Sequence, residues 1–121
     1  MEAKELMIGD KVMVKVLSQI PDTYVLHTWT ANDYSRDIQV KPIPLTPEIL
    51  EKNGFIKVNS QRYDYGYPDT DCYVKVNPKK NMIHVNGRNA NSNLYSHSFV
   101  HELQRALRLC GLNKIADNFK L

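Results

Sequence analysis

The clearest hydrophobic pattern in the chain lies near its C-terminal end, in residues 98–111 (SFVHELQRALRLCG). Apolar residues recur there at spacings of three and four, as on one face of an α-helix; they are Phe99, Val100, Leu103, Ala106, Leu107 and Cys110. Ser98 is suited to cap this helix, and Gly111 is suited to the left-handed conformation that ends one. We therefore predict a helix over 98–111 that covers the hydrophobic core. Its polar residues, expected on the other faces, are His101, Glu102, Gln104, Arg105 and Arg108.

Strand patterns precede this helix in two groups. In the first group, residues 11–18, 23–29 and 34–40 carry alternating, β-branched or aromatic positions and are separated by turn signals. In the second group, 72–76 and 82–85 are joined by a hairpin loop at 77–81, and 55–59 begins the group. The polar segment 86–93 (NGRNANSN) predicts a loop.

A short helix separates the two groups of strands. Thr46 is its expected N-cap, Pro47 takes the first helical position, and Asn53-Gly54 ends it after about two turns. At the other end of the chain, residues 114–121 fit either a last edge strand or a frayed helix.

This order of elements predicts an α+β fold, because strands dominate and the helices are segregated from them. We expect a single domain over residues 1–121. Residues 1–41 form a strand-rich N-terminal part with an SH3-like or partly barrel-like sheet. Residues 42–121 contribute the short helix, further strands and the long C-terminal helix, which packs on the sheet.

The composition is that of an ordinary globular domain, with 121 residues, 42% of them hydrophobic and 24% charged. The only two cysteines, Cys72 and Cys110, are far apart and are interpreted as free thiols of a reducing compartment. The first residues lack the apolar segment of a signal peptide, and no run approaches the roughly 18 apolar residues of a membrane span. We therefore expect a cytoplasmic protein without a membrane partner.

Charge is distributed unevenly along the chain. Residues 1–71 carry 8 Lys/Arg and 11 Asp/Glu, a net charge of −3, whereas residues 72–121 carry 8 and 2, a net charge of +6. A basic half indicates an anionic partner such as nucleic acid, a nucleotide or an acidic protein surface. The alternative is a solvated surface without a ligand role.

Aromatic residues accompany these cations. Tyr63, Tyr65 and Tyr67 alternate, so their rings share one face if the segment is a strand. Rings on which bases stack, beside cations that hold phosphates, would suit single-stranded nucleic acid or a nucleotide. The candidate ligand-binding residues are Tyr63, Tyr65, Tyr67, Lys75, Lys79, Lys80, Arg88, Arg105 and Arg108. Half-buried packing of the tyrosines, or a protein interface, would use the same residue types.

The histidines offer a metal site as an alternative. The fragment HELQR begins like the zinc motif H-E-x-x-H, but Arg105 stands at the second ligand position and cannot bind a metal. His97 and His101 would lie one helical turn apart if the helix began earlier, with His84 as a third ligand. The carboxylates at 64, 69 and 71 do not match a calcium loop and are expected to be solvated turn residues. We find no catalytic set and expect no cofactor.

Three stretches together resemble a family of small uncharacterised proteins of gut bacteria and their phages and prophages. They are KELMIGDKV at 4–12, IPLTPEILEKNGF at 43–55 and FVHELQRALRLCGL at 99–112. The family has a similar opening, a segment of the form I-P-L-T-x-E-x-L-x-x-x-G-F and a helix containing Y-V-H-x-L-Q, in which Phe99 replaces the tyrosine here. The resemblance implies an intracellular protein of a mobile element, and it implies no activity or catalytic residue.

The sequence thus favours a non-enzymatic intracellular binding protein, phage- or prophage-associated, whose partner is a nucleotide signal or nucleic acid. One alternative is an adaptor or inhibitor of a host protein. Another is a self-assembling subunit, a homo-oligomer in which the Tyr-rich strand pairs with its own copy. The last is a metal-dependent enzyme that uses His84, His97 and His101.

Overall fold

The computed structural model describes residues 6–16, 24–35, 38–65, 73–80, 82–86, 91–95 and 99–121, which form an α+β domain. The strands are β1 (Lys11–Val16), β2 (Val25–Thr28), β3 (Ile38–Lys41), β4 (Ile56–Lys57), β5 (Tyr63–Tyr65), β6 (Tyr73–Asn77), β7 (Met82–Asn86) and β8 (Asn91–Tyr95). The α-helices are α1 (Pro47–Lys52), α2 (Val100–Leu109) and α3 (Asn113–Asp117). The α+β prediction is confirmed.

The first three strands form an antiparallel sheet in the order β2-β1-β3. Its inner face carries Val12, Val14 and Val40, which pack with Leu6 and Trp29 in a small separate core. The predicted third strand begins later than expected, because 31–35 form a 3₁₀ helix and β3 starts at residue 38. The SH3-like or barrel-like character of this sheet stays a prediction.

Helix α1 follows the predicted local signals. The Thr46 hydroxyl oxygen accepts a hydrogen bond from the Ile49 backbone N–H at 3.2 Å, which satisfies one donor of the first turn. Gly54 ends the helix at φ 84°, a conformation that favours glycine. The next residue, Phe55, is buried, and its N–H donates to the carbonyl of Leu50.

The remaining strands form a second antiparallel sheet in the order β4-β5-β6-β7-β8. Val74, Val76, Ile83 and Val85 line its inner face, and the apolar side of α2 covers them. The loop predicted over 86–93 is wrong for 91–93, because β8 pairs along β7 from Asn91 to Tyr95. Tertiary pairing here overrides the poor strand propensity of asparagine. The Tyr-rich strand β5 lies between β4 and β6 and is paired on both sides within the chain, and the self-assembling subunit stays an untested alternative.

Helix α2 starts one residue later than predicted. Phe99 rather than Ser98 is the N-cap, and the Glu102 carboxylate accepts from the Phe99 backbone N–H at 3.2 Å. Phe99 itself forms an isolated antiparallel β-bridge with Pro44. Gly111 has φ 76°, as expected for the end of the helix. The tail then forms α3, which decides the open choice for 114–121 largely in favour of a helix.

A buried polar junction ties α2 to the first sheet. The Gln104 side chain is fully buried, and its Oε1 accepts from the Lys11 backbone N–H at 2.7 Å. Its Nε2 donates to the carbonyl oxygens of Gly9 at 2.9 Å and Ala116 at 2.8 Å. The prediction that Gln104 lies on a face away from the core is therefore wrong, because α2 is covered on a second side by the chain before β1.

An internal ion pair completes this junction. Asp10 is fully buried. Its Oδ1 accepts a hydrogen bond from Arg108 Nη1 at 2.7 Å, and Arg105 Nη2 lies 3.9 Å from its Oδ2. The Arg108 side chain is only 14% exposed, so the outward position predicted for it is wrong. The buried carboxylate draws this arginine inward, because an uncompensated buried charge is costly. His101 is buried as well, stacked on the Phe99 ring with centroids 5.9 Å apart, again contrary to prediction.

Candidate functional site

Two of the predicted tyrosines share a face of β5, as expected, and it is the core side of the sheet. Tyr63 is paired with Val76 and Tyr65 with Val74, both of which are core residues. Tyr63 is buried, and Tyr65 is half-buried with its ring 5.4 Å from that of Phe55. Tyr67 and Arg88, which belong to the same predicted set, lie outside the described residues.

Lys75 lies on the opposite face of the sheet from these tyrosines. Its Nζ stands 5.1 Å from the centroid of the Tyr73 ring, and in register it lies between Asp64 and His84. The structure therefore does not bring Lys75 to Tyr63 and Tyr65. Arg105 and Arg108 belong to the junction around Asp10, which occupies Arg108 and leaves the Arg105 side chain 37% exposed.

Asp64 is not a solvated turn carboxylate, as the sequence predicted, but a buried residue of β5. Arg62 binds it through Nε at 2.9 Å and Nη2 at 2.7 Å. The hydrogen bond to Asp64 is the main reason that the pKa of Arg62 is raised above its ordinary value. The two hydrogen bonds of this pair fix the chain just before β5.

The structure does not bring the predicted metal ligands together. His84 lies on the outer face of the sheet, beside Lys75, whereas His101 belongs to α2 on the inner face. The sheet lies between these two histidines, and His97 is outside the described residues. Within the part of the chain that the structure describes, no three metal-binding side chains form a group.

Tyr63 and Lys79 do meet, at a half-open cleft of about 200 Å³ at one end of the second sheet. Three separate stretches of chain line it. They contribute Pro47 from α1, Ser60, Gln61 and Tyr63 around the start of β5, and Pro78 and Lys79 from the turn between β6 and β7.

Local hydrogen bonds fix the two loops of the cleft. The Asn59 side-chain oxygen Oδ1 accepts from the backbone N–H of Gln61 at 2.9 Å and of Arg62 at 3.0 Å. In the other loop, the Asn77 side chain accepts from the Lys80 N–H at 3.3 Å across the 3₁₀ helix Pro78–Lys80. These are the side chain-to-backbone bonds that asparagine makes in turns.

The cleft combines flat apolar walls with a few polar groups. Pro47, Pro78 and Tyr63 supply the walls, and the Ser60 hydroxyl and the Gln61 amide can donate and accept hydrogen bonds. Lys79 is exposed at the rim, and the next residue, Lys80, is exposed as well. Such a cleft can hold a planar polar ring beside a negatively charged group.

Most residues of the cleft were not singled out from the sequence. Turn signals marked the two loops, but a turn signal does not indicate which loops converge in space. No sequence pattern predicted the pair formed by His27 Nε2 and Asp33 Oδ2 at 2.7 Å. The buried Asp33 also accepts from the backbone N–H and the hydroxyl of Thr30, so this pair stabilises the turn after β2.

Comparison of the chain with protein-family models, with curated proteins and with solved structures finds no match. The resemblance to small phage and prophage proteins therefore stays a prediction. Among the described residues, no helix has the length and apolar character needed to cross a membrane.

Proposed function

We propose that this protein is a non-enzymatic binding protein that holds a nucleotide in the cleft lined by Tyr63 and Lys79. The cleft itself is the observation that supports the proposal. It joins two residues of the predicted ligand-binding set with hydrogen-bonding side chains and flat apolar walls. Small-molecule sites combine these same features, a concave apolar surface and a few placed polar groups.

The dimensions favour a ligand that is only partly enclosed. A volume of about 200 Å³ is below the roughly 300–1,000 Å³ of a site for a drug-sized ligand. We therefore place the base in the cleft, against the prolines and Tyr63. The Gln61 amide then faces the polar edge of the base, and the phosphates extend over the exposed Lys79 and Lys80.

The cellular setting belongs to the same proposal. The resemblance to proteins of phages and prophages supports a protein of a mobile element that acts in the cytoplasm of a bacterial host. Such a protein would bind a nucleotide signal of that host without converting it to another compound.

Isothermal titration calorimetry with a panel of mononucleotides and cyclic dinucleotides tests this function, at about 50 mM and about 200 mM salt. We expect saturable binding of at least one compound, weaker at the higher salt because a lysine–phosphate contact is electrostatic. The change Lys79→Ala should weaken it about tenfold or more, since a hydrogen bond to a charged group contributes about 1.5–3 kcal/mol. Gln61→Ala should weaken it about threefold to tenfold, the loss of a neutral hydrogen bond of about 0.5–1.5 kcal/mol.

A matched control is Lys114→Ala, which removes an equally exposed lysine from α3. It should leave the affinity unchanged. The proposal fails if no compound of the panel binds, or if Lys79→Ala and Lys114→Ala have equal effects.

A protein partner is the second candidate, and the edge strand β4 is the observation that favours it. Ile56 is 60% exposed and Val58 is 50% exposed at this edge. An exposed apolar edge can accept a strand of another chain. Ile56→Lys would then abolish capture of a host protein without affecting nucleotide titrations, and light scattering separates this partner from a second copy of the chain.

A further inference from the structure

The outer face of the first sheet carries a second cluster of cations and aromatic surface, formed by residues outside the basic half of the sequence. Because Val12 and Val14 point into the core, the alternate residues of β1 point outward. The register adds the neighbouring residues of β2 and β3. The lysine face comprises Lys11, Met13, Lys15, Tyr24, Leu26, Thr28, Gln39 and Lys41. Three of these eight described residues are lysines, and none is acidic.

Tyr24, just before β2, contacts residues of both β1 and β3 on this face. Its ring centroid lies 4.6 Å from Lys41 Nζ and 5.6 Å from Lys15 Nζ, and its hydroxyl donates to Gln39 Oε1 at 3.3 Å. One aromatic ring therefore brings ammonium groups of β1 and β3 together on this face.

The lysines are arranged for an extended polyanion. Lys11 and Lys15 lie four residues apart on β1, a separation of about 13 Å. Lys41 is paired with Met13, midway between them on the neighbouring strand. The Lys11 ammonium is already oriented on the sheet by its hydrogen bond to Thr28 Oγ1 at 2.6 Å. These three cations can contact successive phosphates of one strand that crosses the sheet.

Apolar surface between the lysines favours a single strand over a duplex. Leu26 is 55% exposed, and the half-buried Tyr24 lies two residues before it on the same face. Unpaired bases can stack on such side chains, whereas a duplex keeps its bases paired and offers mainly its phosphates.

We infer that the lysine face binds single-stranded nucleic acid, with phosphates on Lys11, Lys15 and Lys41 and bases against Tyr24 and Leu26. This site is on a different sheet from the nucleotide cleft and does not depend on it. DNA and RNA both have the phosphates and bases that this face would contact, so the experiment compares the two.

Fluorescence anisotropy with labelled oligomers of deoxythymidine and of uridine, about 16 nucleotides long, tests the inference. We expect at least one oligomer to bind at about 50 mM salt and to lose affinity steeply by about 200 mM. The double change Lys15→Gln and Lys41→Gln should weaken binding at least tenfold. The salt dependence should also become weaker. The negative slope of log affinity against log salt should fall in magnitude by about 0.7 for each phosphate contact that is lost.

Changes at Tyr24 test the stacking part of the inference. Tyr24→Leu should weaken binding about fivefold to a hundredfold, whereas Tyr24→Phe, which keeps the ring, should bind nearly as the parent does. Circular dichroism and thermal melting establish that each variant is folded. If a lysine pair proves necessary for folding, the single change Lys41→Gln with its own salt slope replaces the double variant.

A matched double control, Lys57→Gln and Lys114→Gln, removes the same charge elsewhere and separates this site from general charge effects. It should bind oligomers as the parent does. The inference is overturned if neither oligomer binds at low salt, or if that control loses as much affinity as the Lys15 and Lys41 double variant. It is also overturned if an unlabelled duplex of equal length competes better than the single strand.

Discussion

Replacing Gln104 by leucine should destabilise the protein far more than its position on a helix suggests. The side chain is 0% exposed and satisfies three backbone groups, which are the N–H of Lys11 and the carbonyls of Gly9 and Ala116. Leucine has nearly the same size, so Gln104→Leu removes the hydrogen bonds without leaving a large cavity. It isolates the contribution of the polar junction.

The magnitude follows from those three bonds. Leaving one buried polar group without a partner costs about 1–3 kcal/mol, so three cost about 3–9 kcal/mol. Burying the leucine side chain returns about 1.5–3 kcal/mol. We therefore expect a net loss of about 2–6 kcal/mol, a large part of the roughly 5–15 kcal/mol by which native proteins are stable.

Denaturant unfolding followed by circular dichroism measures this loss, and Gln61→Leu is the matched control. Gln61 is exposed, so the same chemical change there should shift the free energy of unfolding by no more than about 0.5 kcal/mol. Native-state hydrogen exchange adds a local readout, because the Lys11 amide should lose protection in Gln104→Leu. Equal destabilisation by the two variants, with the Lys11 amide still protected, would refute the junction.

Three other changes test separate parts of the fold by the same unfolding measurement. Thr46→Ala should cost about 1 kcal/mol, because it removes the cap bond to Ile49; no loss would mean that the cap does not stabilise α1. Gly54→Ala should cost about 1–2 kcal/mol, because φ is 84° and the new Cβ would lie 3.3 Å from Tyr65 Cε2; a more stable variant would contradict this conformation. Leu50→Ala should cost about 2–5 kcal/mol, because the side chain is fully buried; a loss under about 1 kcal/mol would place it outside the core.

Local signals predicted α1 well because the residues that start and end this helix lie close together in the sequence. The cap at Thr46, the proline after it and the glycine at 54 act on their own neighbours, so no distant partner was needed to identify them. The apolar stripe of α2 was equally reliable for the residues that face the second sheet.

The polar faces of α2 could not be predicted in the same way. Whether Arg108 is exposed depends on Asp10, which lies 98 residues earlier, and Gln104 depends on a backbone donor 93 residues away. The periodicity of apolar residues identifies the helix face that packs on the core. It does not reveal that a second face of α2 makes buried polar contacts. The strand β8 illustrates the same limit, since its pairing with β7 decides its structure.

The two proposed ligand sites show which candidate residues the sequence could group together and which it could not. It proposed Tyr63 and Lys79, which meet at the cleft, but it grouped them with Arg108, which is occupied internally. It missed the lysine face, because Lys15 and Lys41 belong to a part of the chain with net negative charge. Charge counted along a chain does not indicate which charges share a surface.

The three stretches that resemble phage proteins meet around α2 in this structure. Residues 9–11 bind Gln104 and Arg108, and the backbone carbonyl of Ile43 accepts from the Val100 N–H at 2.8 Å. These residues hold the fold together. Apart from Pro47, the residues that line the cleft lie outside the three stretches.

The central claim is that the cleft binds a nucleotide, and two-dimensional NMR of the nitrogen-15-labelled protein tests it most directly. The nucleotide that binds most tightly by calorimetry is titrated while every backbone amide is followed. We predict saturable shifts that are largest at Ser60, Gln61, Tyr63 and Lys79, and that need about tenfold more nucleotide or higher to saturate in Lys79→Ala. Saturable shifts confined to other surfaces, or none at all, would contradict the claim.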